Sequence, residues 1–316
     1  MSDLYETSTA NGRTIMAALP PLRGRLTPGA PLWRLSWFRT GGPVDLLFEP
    51  ADEKDLCSLL QALPADVPIT VIGVGSNLLV RDGGVRGVVI RLGRQFADIE
   101  ARGDLVKAGS GAMDVHVAKA AAKAGIGGAE FLIGVPGTIG GAVFMNAGAY
   151  GREIKDVLLQ MRAVDRMGVV RDIKPESYPF DYRHSGLPSD WIITQAILKG
   201  YAAPTDEINE KMNTITSTRA DSQPLGTRTG GSTFKNPDPD LSDGRSAWQL
   251  VDEAGCRGLR IGDAGISEKH CNFMINHGSA TAAQIEELGT VVQDRVKAAT
   301  GVSLAWEIKI IGEKGA

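Results

Sequence analysis

The residues with the most chemical promise are glycines. Gly73-Val-Gly75-Ser76-Asn77-Leu78 opens like the fingerprint of a dinucleotide-binding βαβ unit, but Leu78 stands where a third glycine belongs. The LLVRDGGVRGVVI that follows is rich in β formers and supplies no helix N-terminus for a pyrophosphate, so the Rossmann reading fails. Two uses remain: a tight turn between strands, or a loop whose N–H groups converge on an anion with help from Ser76 and Asn77. A second loop favours the ligand. Gly134-Val-Pro136-Gly137-Thr138-Ile-Gly140-Gly141 carries four glycines in eight residues, and NAGAYG (146–151) follows closely. That is more than a turn requires and suits close backbone approach to a flat or phosphorylated molecule. Both loops are poor in charge, which fits a large dinucleotide held mainly by backbone N–H groups.

Other chemistries find less support. Cys57, Cys256 and Cys271 are far apart and form no C-x-x-C pair, and His116, His184, His270 and His277 lack metal-ligand spacing. Neither a disulfide framework nor a metal site is expected, and a reducing, cytoplasmic setting fits best. A formal charge of −3 argues against a nucleic-acid partner. The N-terminal MSDLYETSTANGR lacks the apolar core of a signal peptide. Phe131 to Gly151 is uncharged and long enough to span a bilayer, yet its six glycines and Pro136 mark it as buried loop and strand. No membrane association is expected.

These loops need a scaffold, and 316 residues suffice for two or three domains. Residues 1–30 read as a proline-ended lead-in. WRLSWFRTGGPVDLLFEP reads as extended chain, turn and strand, and DEKDLCSLLQAL as a helix with leucines at 56, 59, 60 and 63. Strands are expected at ITVIG and on either side of the Asp-Gly-Gly turn, then a helix over 113–123. VLLQMRAVDRMGVVRDI reads as a hairpin, WIITQAILKG as a strand and 205–219 as a connecting helix. Ser246 with Gln249 and Thr281 with Gln284 fit capping boxes, with Gly255 and Gly301 as C-terminal glycines. Ile285, Leu288, Val292 and Val296 form a core-facing stripe, and VSLAWEIKIIG closes the chain as a strand. The fold class is α+β with a boundary near residues 200–220.

IGVGSNLLVRDGGVRGVVIRL and FLIGVPGTIGGAVFMNAGAYG resemble the two FAD-binding stretches of the UDP-N-acetylenolpyruvoylglucosamine reductase (MurB) family. YRHS (182–185), GGSTFKNP (230–237), AGISEKHCNFMIN (264–276) and WEIKIIG (306–312) match further motifs in order, from about Trp33 to the C-terminus. The short distance from YRHS to GGSTFKNP resembles the type II branch, while SWFRTGG departs from the family's usual TTF-like start. The resemblance implies a non-Rossmann, two-part FAD-binding domain of the PCMH/VAO kind over residues 31–204, with parts at about 31–92 and 93–204. A smaller α+β substrate domain would follow at 205–316. FAD would contact Gly73, Gly75, Ser76, Asn77, Leu78, Gly134, Pro136, Gly137, Thr138, Gly140, Gly141, Asn146 and Ala149.

The family reaction reduces UDP-N-acetylglucosamine enolpyruvate with NADPH, through FAD, to UDP-N-acetylmuramate for peptidoglycan. The resemblance implies a cytoplasmic, monomeric enzyme with small-molecule substrates. It also implies the site residues. Arg183 would meet the substrate carboxylate as charge grows there, and Ser232 would donate the proton, with Lys235 nearby to stabilise the alkoxide. Glu307 would act in stabilisation and protonation; by strand alternation alone it faces either solvent or a cleft. Arg219, Lys235 and Asn236 would hold the sugar nucleotide, and His270 is expected to be structural or at the substrate rim. Two rivals are a related oxidase with tethered FAD, disfavoured because neither loop holds His or Cys, and a non-catalytic nucleotide-binding module, which has no use for an Arg–Ser–Glu set.

Overall fold

The computed structural model describes residues 2–315. The N-terminal part contains α1 (Ser2–Ala17), β1 (Arg25–Pro28), β2 (Val44–Glu49), α2 (Glu53–Ala62), β3 (Ile69–Ile72), β4 (Leu78–Val80) and β5 (Val85–Arg91). Its sheet runs β1-β2-β5-β3, with β2 and β3 parallel to β5 and β1 antiparallel to β2. A sheet covered on both faces buries its strands throughout, and Val44 to Phe48 are all buried, Asp45 being the polar residue of the run. The Asp52 carboxylate accepts from the N–H of Asp55 to start α2, whose Leu56, Leu59 and Leu60 pack with Phe48, Val88 and Ile90.

The expected lead-in is part of this sheet. β1 pairs along β2, and α1 lies so close that a Cβ on Gly12 would sit 1.9 Å from the carbonyl oxygen of Asp45. The polar sequence of α1 conceals this role because polar groups share in holding it. Buried Asp45 accepts from Asn11 Nδ2 at 3.4 Å, Arg86 Nη1 at 2.8 Å and the N–H of Gly87 at 2.9 Å.

Next come β6 (Ile99–Arg102), β7 (Leu105–Gly109), α3 (Asp114–Lys123), β8 (Ile126–Gly127), α4 (Ile139–Phe144), β9 (Gly148–Ala149) and β10 (Arg152–Glu153). They are followed by β11 (Leu158–Val164), β12 (Val170–Ile173), β13 (Ile192–Lys199), β14 (Tyr201–Ala202) and α5 (Thr205–Ser222). The main sheet, β12-β11-β13-β7-β6, is antiparallel throughout and contains the expected hairpin, whose turn places Gly168 at φ 73°. The stretch 131–151, read as loop and strand, instead holds a 3-10 helix (Glu130–Gly134) and α4 before the short β9. Two glycines in the first turn of so short a helix mask its period, and Leu132, Ile139 and Val143 are fully buried. No described helix is long and apolar enough to cross a membrane.

The last part holds α6 (Pro239–Ser242), α7 (Ala247–Glu253), β15 (Arg260–Ile261), β16 (Ala264–Ile266), β17 (Met274–Asn276), α8 (Ala282–Thr300) and β18 (Lys309–Ile311). Both expected capping boxes form, and Gly301 ends α8 at φ 77°. Ile285, Leu288, Val292 and Val296 are completely buried, in one core with Phe38 and Leu79 from the N-terminal part. The final strand is shorter than its apolar run. β18 pairs in parallel with β4 only over Lys309–Ile311, while Trp306 bridges to Phe234 and Lys235 donates to Ala305 at 2.9 Å.

Trp306 packs tightly on α8. A Cβ on Gly289 would lie 2.1 Å from its ring, which already meets Phe234 at a centroid separation of 5.3 Å. Gly289→Ala is expected to destabilise this part by about 1–3 kcal/mol, because the ring cannot retreat without disturbing the core. A urea midpoint equal to that of the parent would show that the helix accommodates the methyl group.

Candidate active site

Both glycine loops, the end of α5, the segment 224–232 and the start of β18 enclose a cleft of about 970 Å³. Sites for small molecules span roughly 300–1,000 Å³, so this one suits a large ligand. Gly73, Gly75, Ser76, Asn77 and Leu78 line one wall, and Gly134, Pro136, Gly137, Thr138, Gly140, Gly141 and Ala149 another. The loops touch: a Cβ on Gly73 would come within 2.7 Å of Thr138 Oγ1. Part of the glycine content therefore serves loop-on-loop packing, which a reading based on ligand approach alone did not foresee.

The residues fit a bound dinucleotide such as FAD. Buried Ser110 Oγ, both carboxyl oxygens of Asp114 and Thr229 Oγ1 have no protein hydrogen-bond partner, and all three residues line the cleft. Buried polar atoms are rarely left so, and a ligand with polar groups would satisfy them. Among the described residues lining the cleft, the cationic side chains are Arg183, Arg219 and Lys309, against the carboxyls of Asp114 and Glu307. That balance favours anionic ligands.

Arg183, Glu307 and Ser232 meet here from distant parts of the chain. Arg183 follows a tight turn in which Asp181 and His184 bridge, and it adopts φ 54°. Its Nε donates to Glu307 Oε1 at 2.7 Å and its Nη2 to the carbonyl of Gly148 at 3.0 Å, with the guanidinium 4.8 Å from the Tyr182 ring centroid. Burial works against the Arg183 charge, but the charge and hydrogen bond of Glu307 outweigh it and raise its pKa. Glu307 thus points into the cleft, settling the choice that alternation had left open. Both Arg183 and Glu307 line the cleft.

Ser232 sits on a clamped strand. It bridges to Phe273, the next N–H, of Thr233, donates to Asn272 at 2.7 Å, and the N–H of Glu307 donates to Thr233 at 2.8 Å. The Asn272 side chain secures Phe234 through both its N–H and its carbonyl. Ser232 and Glu307 therefore belong to adjoining backbone segments of the same wall.

Three expected binding residues lie elsewhere. Asn146 is fully buried: its amide donates to Glu153 Oε2 and the carbonyl of Asp181, and its oxygen accepts from the N–H of Lys155. It braces the loop bearing Arg183 and does not line the cleft. Asn236 Oδ1 accepts from the N–H of Ala247 at 3.0 Å at the start of α7, and neither Asn236 nor Lys235 lines the cleft. Arg219 does line it, with Nε donating to Gln223 and burial lowering its pKa. His270 stacks edge-on to Phe273 at 4.8 Å, accepts at Nδ1 from the N–H of Asn272, and has its pKa lowered by burial. It is structural. The sequence reading passed over Ser110, Asp114 and Thr229; Gly109-Ser110-Gly111, a third small glycine stretch directly before a helix, was the signal for the first two.

A family profile described as FAD binding domain matches residues 44–174, and one described as UDP-N-acetylenolpyruvoylglucosamine reductase, C-terminal domain, matches 223–311. The chain is 56% identical over 298 residues to the UDP-N-acetylenolpyruvoylglucosamine reductase of Azorhizobium caulinodans, covering 94% of this chain and 95% of that one. The enzyme of that name from Parvibaculum lavamentivorans is 55% identical, with 93% of each chain covered. The crystal structure of UDP-N-acetylenolpyruvylglucosamine reductase (MurB) from Thermus caldophilus superposes with a TM-score of 0.79 at 34% identity, over 92% of this chain and 99% of that one. With the cleft, its glycine loops and these relationships in agreement, the chain belongs to the UDP-N-acetylenolpyruvoylglucosamine reductase family.

Proposed function

We propose that Arg183, Ser232 and Glu307 carry out the family's reaction in this cleft. The protein is an FAD-dependent oxidoreductase that uses NADPH to reduce UDP-N-acetylglucosamine enolpyruvate to UDP-N-acetylmuramate in peptidoglycan synthesis. FAD, which the two glycine loops would hold, would supply the two-electron chemistry that links NADPH to the β-carbon of the substrate double bond. The electron pair of that bond moves onto the α-carbon and its carboxylate. Arg183, held by Glu307 and Gly148 in the cleft lining, offers the growing negative charge a fixed cation. Ser232 Oγ then gives its proton to the α-carbon, and the cations of the cleft, Arg183, Arg219 and Lys309, are available to offset the charge left on oxygen, Lys235 lying outside the lining. Glu307 acts by orienting the guanidinium through the bond to Nε.

The observation that carries this reading is the meeting of Arg183, Glu307 and Ser232 on a cleft walled by both glycine loops. The separate apolar cores favour an FAD-binding part and a substrate-binding part, but Ile208 and Met212 of α5 pack in the first core, so we place the boundary after α5 and not at residue 204, with β18 and Phe38 crossing between the parts. The three cysteines are free thiols, as a cytoplasmic enzyme would hold them.

The purified protein is expected to be yellow and to release its flavin to the supernatant on acid precipitation. NADPH should bleach it anaerobically, and the enolpyruvyl sugar nucleotide should restore the colour. Reoxidation at the same rate with and without that nucleotide would overturn the reading.

A further inference from the structure

Among the described residues, the buried side-chain oxygens without a hydrogen-bond partner are Ser110 Oγ, Asp114 Oδ1 and Oδ2, Glu130 Oε1 and Thr229 Oγ1. Glu130 is partly provided for, since its other oxygen accepts from Gly128 and Lys211 lies 3.7 Å from Oε1. Asp114 is the extreme case: a wholly buried carboxyl group with neither oxygen engaged, on the floor of the cleft. It opens α3 but does not cap it, for no helix N–H donates to it.

Its place is specific. A Cβ on Gly137 would fall 2.9 Å from Asp114 Oδ2 and 3.8 Å from Ser76 Oγ, so Asp114 lies where the two glycine loops converge. The stretch that carries it is tied to the second loop: the N–H of Asp114 donates to Gly137 at 3.1 Å, that of Ile139 to Ala112 at 2.9 Å and that of Gly140 to Ser110 at 2.9 Å. Ser110 thus belongs to the same floor. No donor among the described residues engages either oxygen, and burial pushes the Asp114 carboxyl well above the usual carboxylate range. As a neutral acid it has one O–H to give. A neutral donor suits an anion where a carboxylate would repel it.

We propose that Asp114 and Ser110, the unpartnered buried groups where the two glycine loops converge, donate hydrogen bonds to pyrophosphate oxygens of FAD. This rests on FAD occupying the cleft. The role is one of cofactor binding, separate from the reduction assigned to Arg183, Ser232 and Glu307.

The test follows flavin fluorescence as holoprotein is diluted, with ADP as a competitor that carries a pyrophosphate and no isoalloxazine. Asp114→Ala and Ser110→Ala are each expected to weaken FAD retention about 10–100-fold, the loss of one hydrogen bond to a charged group, and to weaken ADP by the same factor. Asp114→Asn, a neutral donor of similar shape, should stay within about threefold of the parent. FAD retained equally by Asp114→Ala and the parent would overturn the proposal. So would an Asp114→Asn loss as large as that of alanine, or an FAD loss that ADP does not share. Should Asp114→Ala fail to fold, unchanged FAD and ADP binding in Ser110→Ala overturns it instead. Parent protein that retains no FAD at all would sink the flavin assignment itself.

Discussion

Ser232→Ala is expected to slow reduction of the enolpyruvyl sugar about 10²–10⁴-fold while leaving flavin reduction by NADPH at its parental rate. The two halves of the cycle make different demands. Electron transfer from NADPH creates no carbanion and needs no proton at carbon. Reduction of the substrate does, and Ser232 is held for that task by backbone pairing to Phe273 on one side and near Glu307 on the other. That clamp also makes the variant informative, because it runs through backbone atoms and the Asn272 side chain and does not use the serine hydroxyl. Stopped-flow traces of each half separate the outcomes. Equal slowing of both halves, or of neither, would reduce Ser232 to a turn residue.

Arg183→Met is expected to cost about 10²–10³-fold in the same half-reaction, the usual scale for removing one preorganised electrostatic donor. The variant leaves the half-buried Glu307 carboxylate without its 2.7 Å partner. It therefore adds an uncompensated negative charge beside a reacting carboxylate as well as removing a positive one. Glu307→Gln should be milder, since an amide oxygen still accepts from Nε and the guanidinium stays cationic. Because the two act as a unit, the double variant should lose far less than the product of the single losses. Strict multiplication of the two effects in single-turnover rates would mean that Arg183 and Glu307 act independently, against the geometry.

Local chemistry was readable directly from the chain. The capping boxes at Ser246 and Thr281 are each completed three residues on, and the α8 stripe and the 158–173 hairpin depend on near neighbours. The glycine loops announced a ligand because composition alone betrays close backbone approach. Even the order of the motifs that carry Arg183, Ser232 and Glu307 is written in sequence.

What the sequence could not determine is which side chains remain available once the chain has packed. Asn146, Asn236 and Asp114 are all short polar residues at the ends of helices or turns. The first two are consumed by partners at Glu153, Asp181 and Ala247, whereas Asp114 is left with none. The direction of Glu307 was equally hidden, because alternation defines two faces but not what stands opposite either. Parallel pairing of β18 with β4 fixes the strand next to Glu307, whose carboxylate accepts from Arg183, and that pairing joins segments more than two hundred residues apart. Hydrogen bonds within a few residues are encoded locally, while desolvation and long-range strand pairing exist only after the distant parts have met.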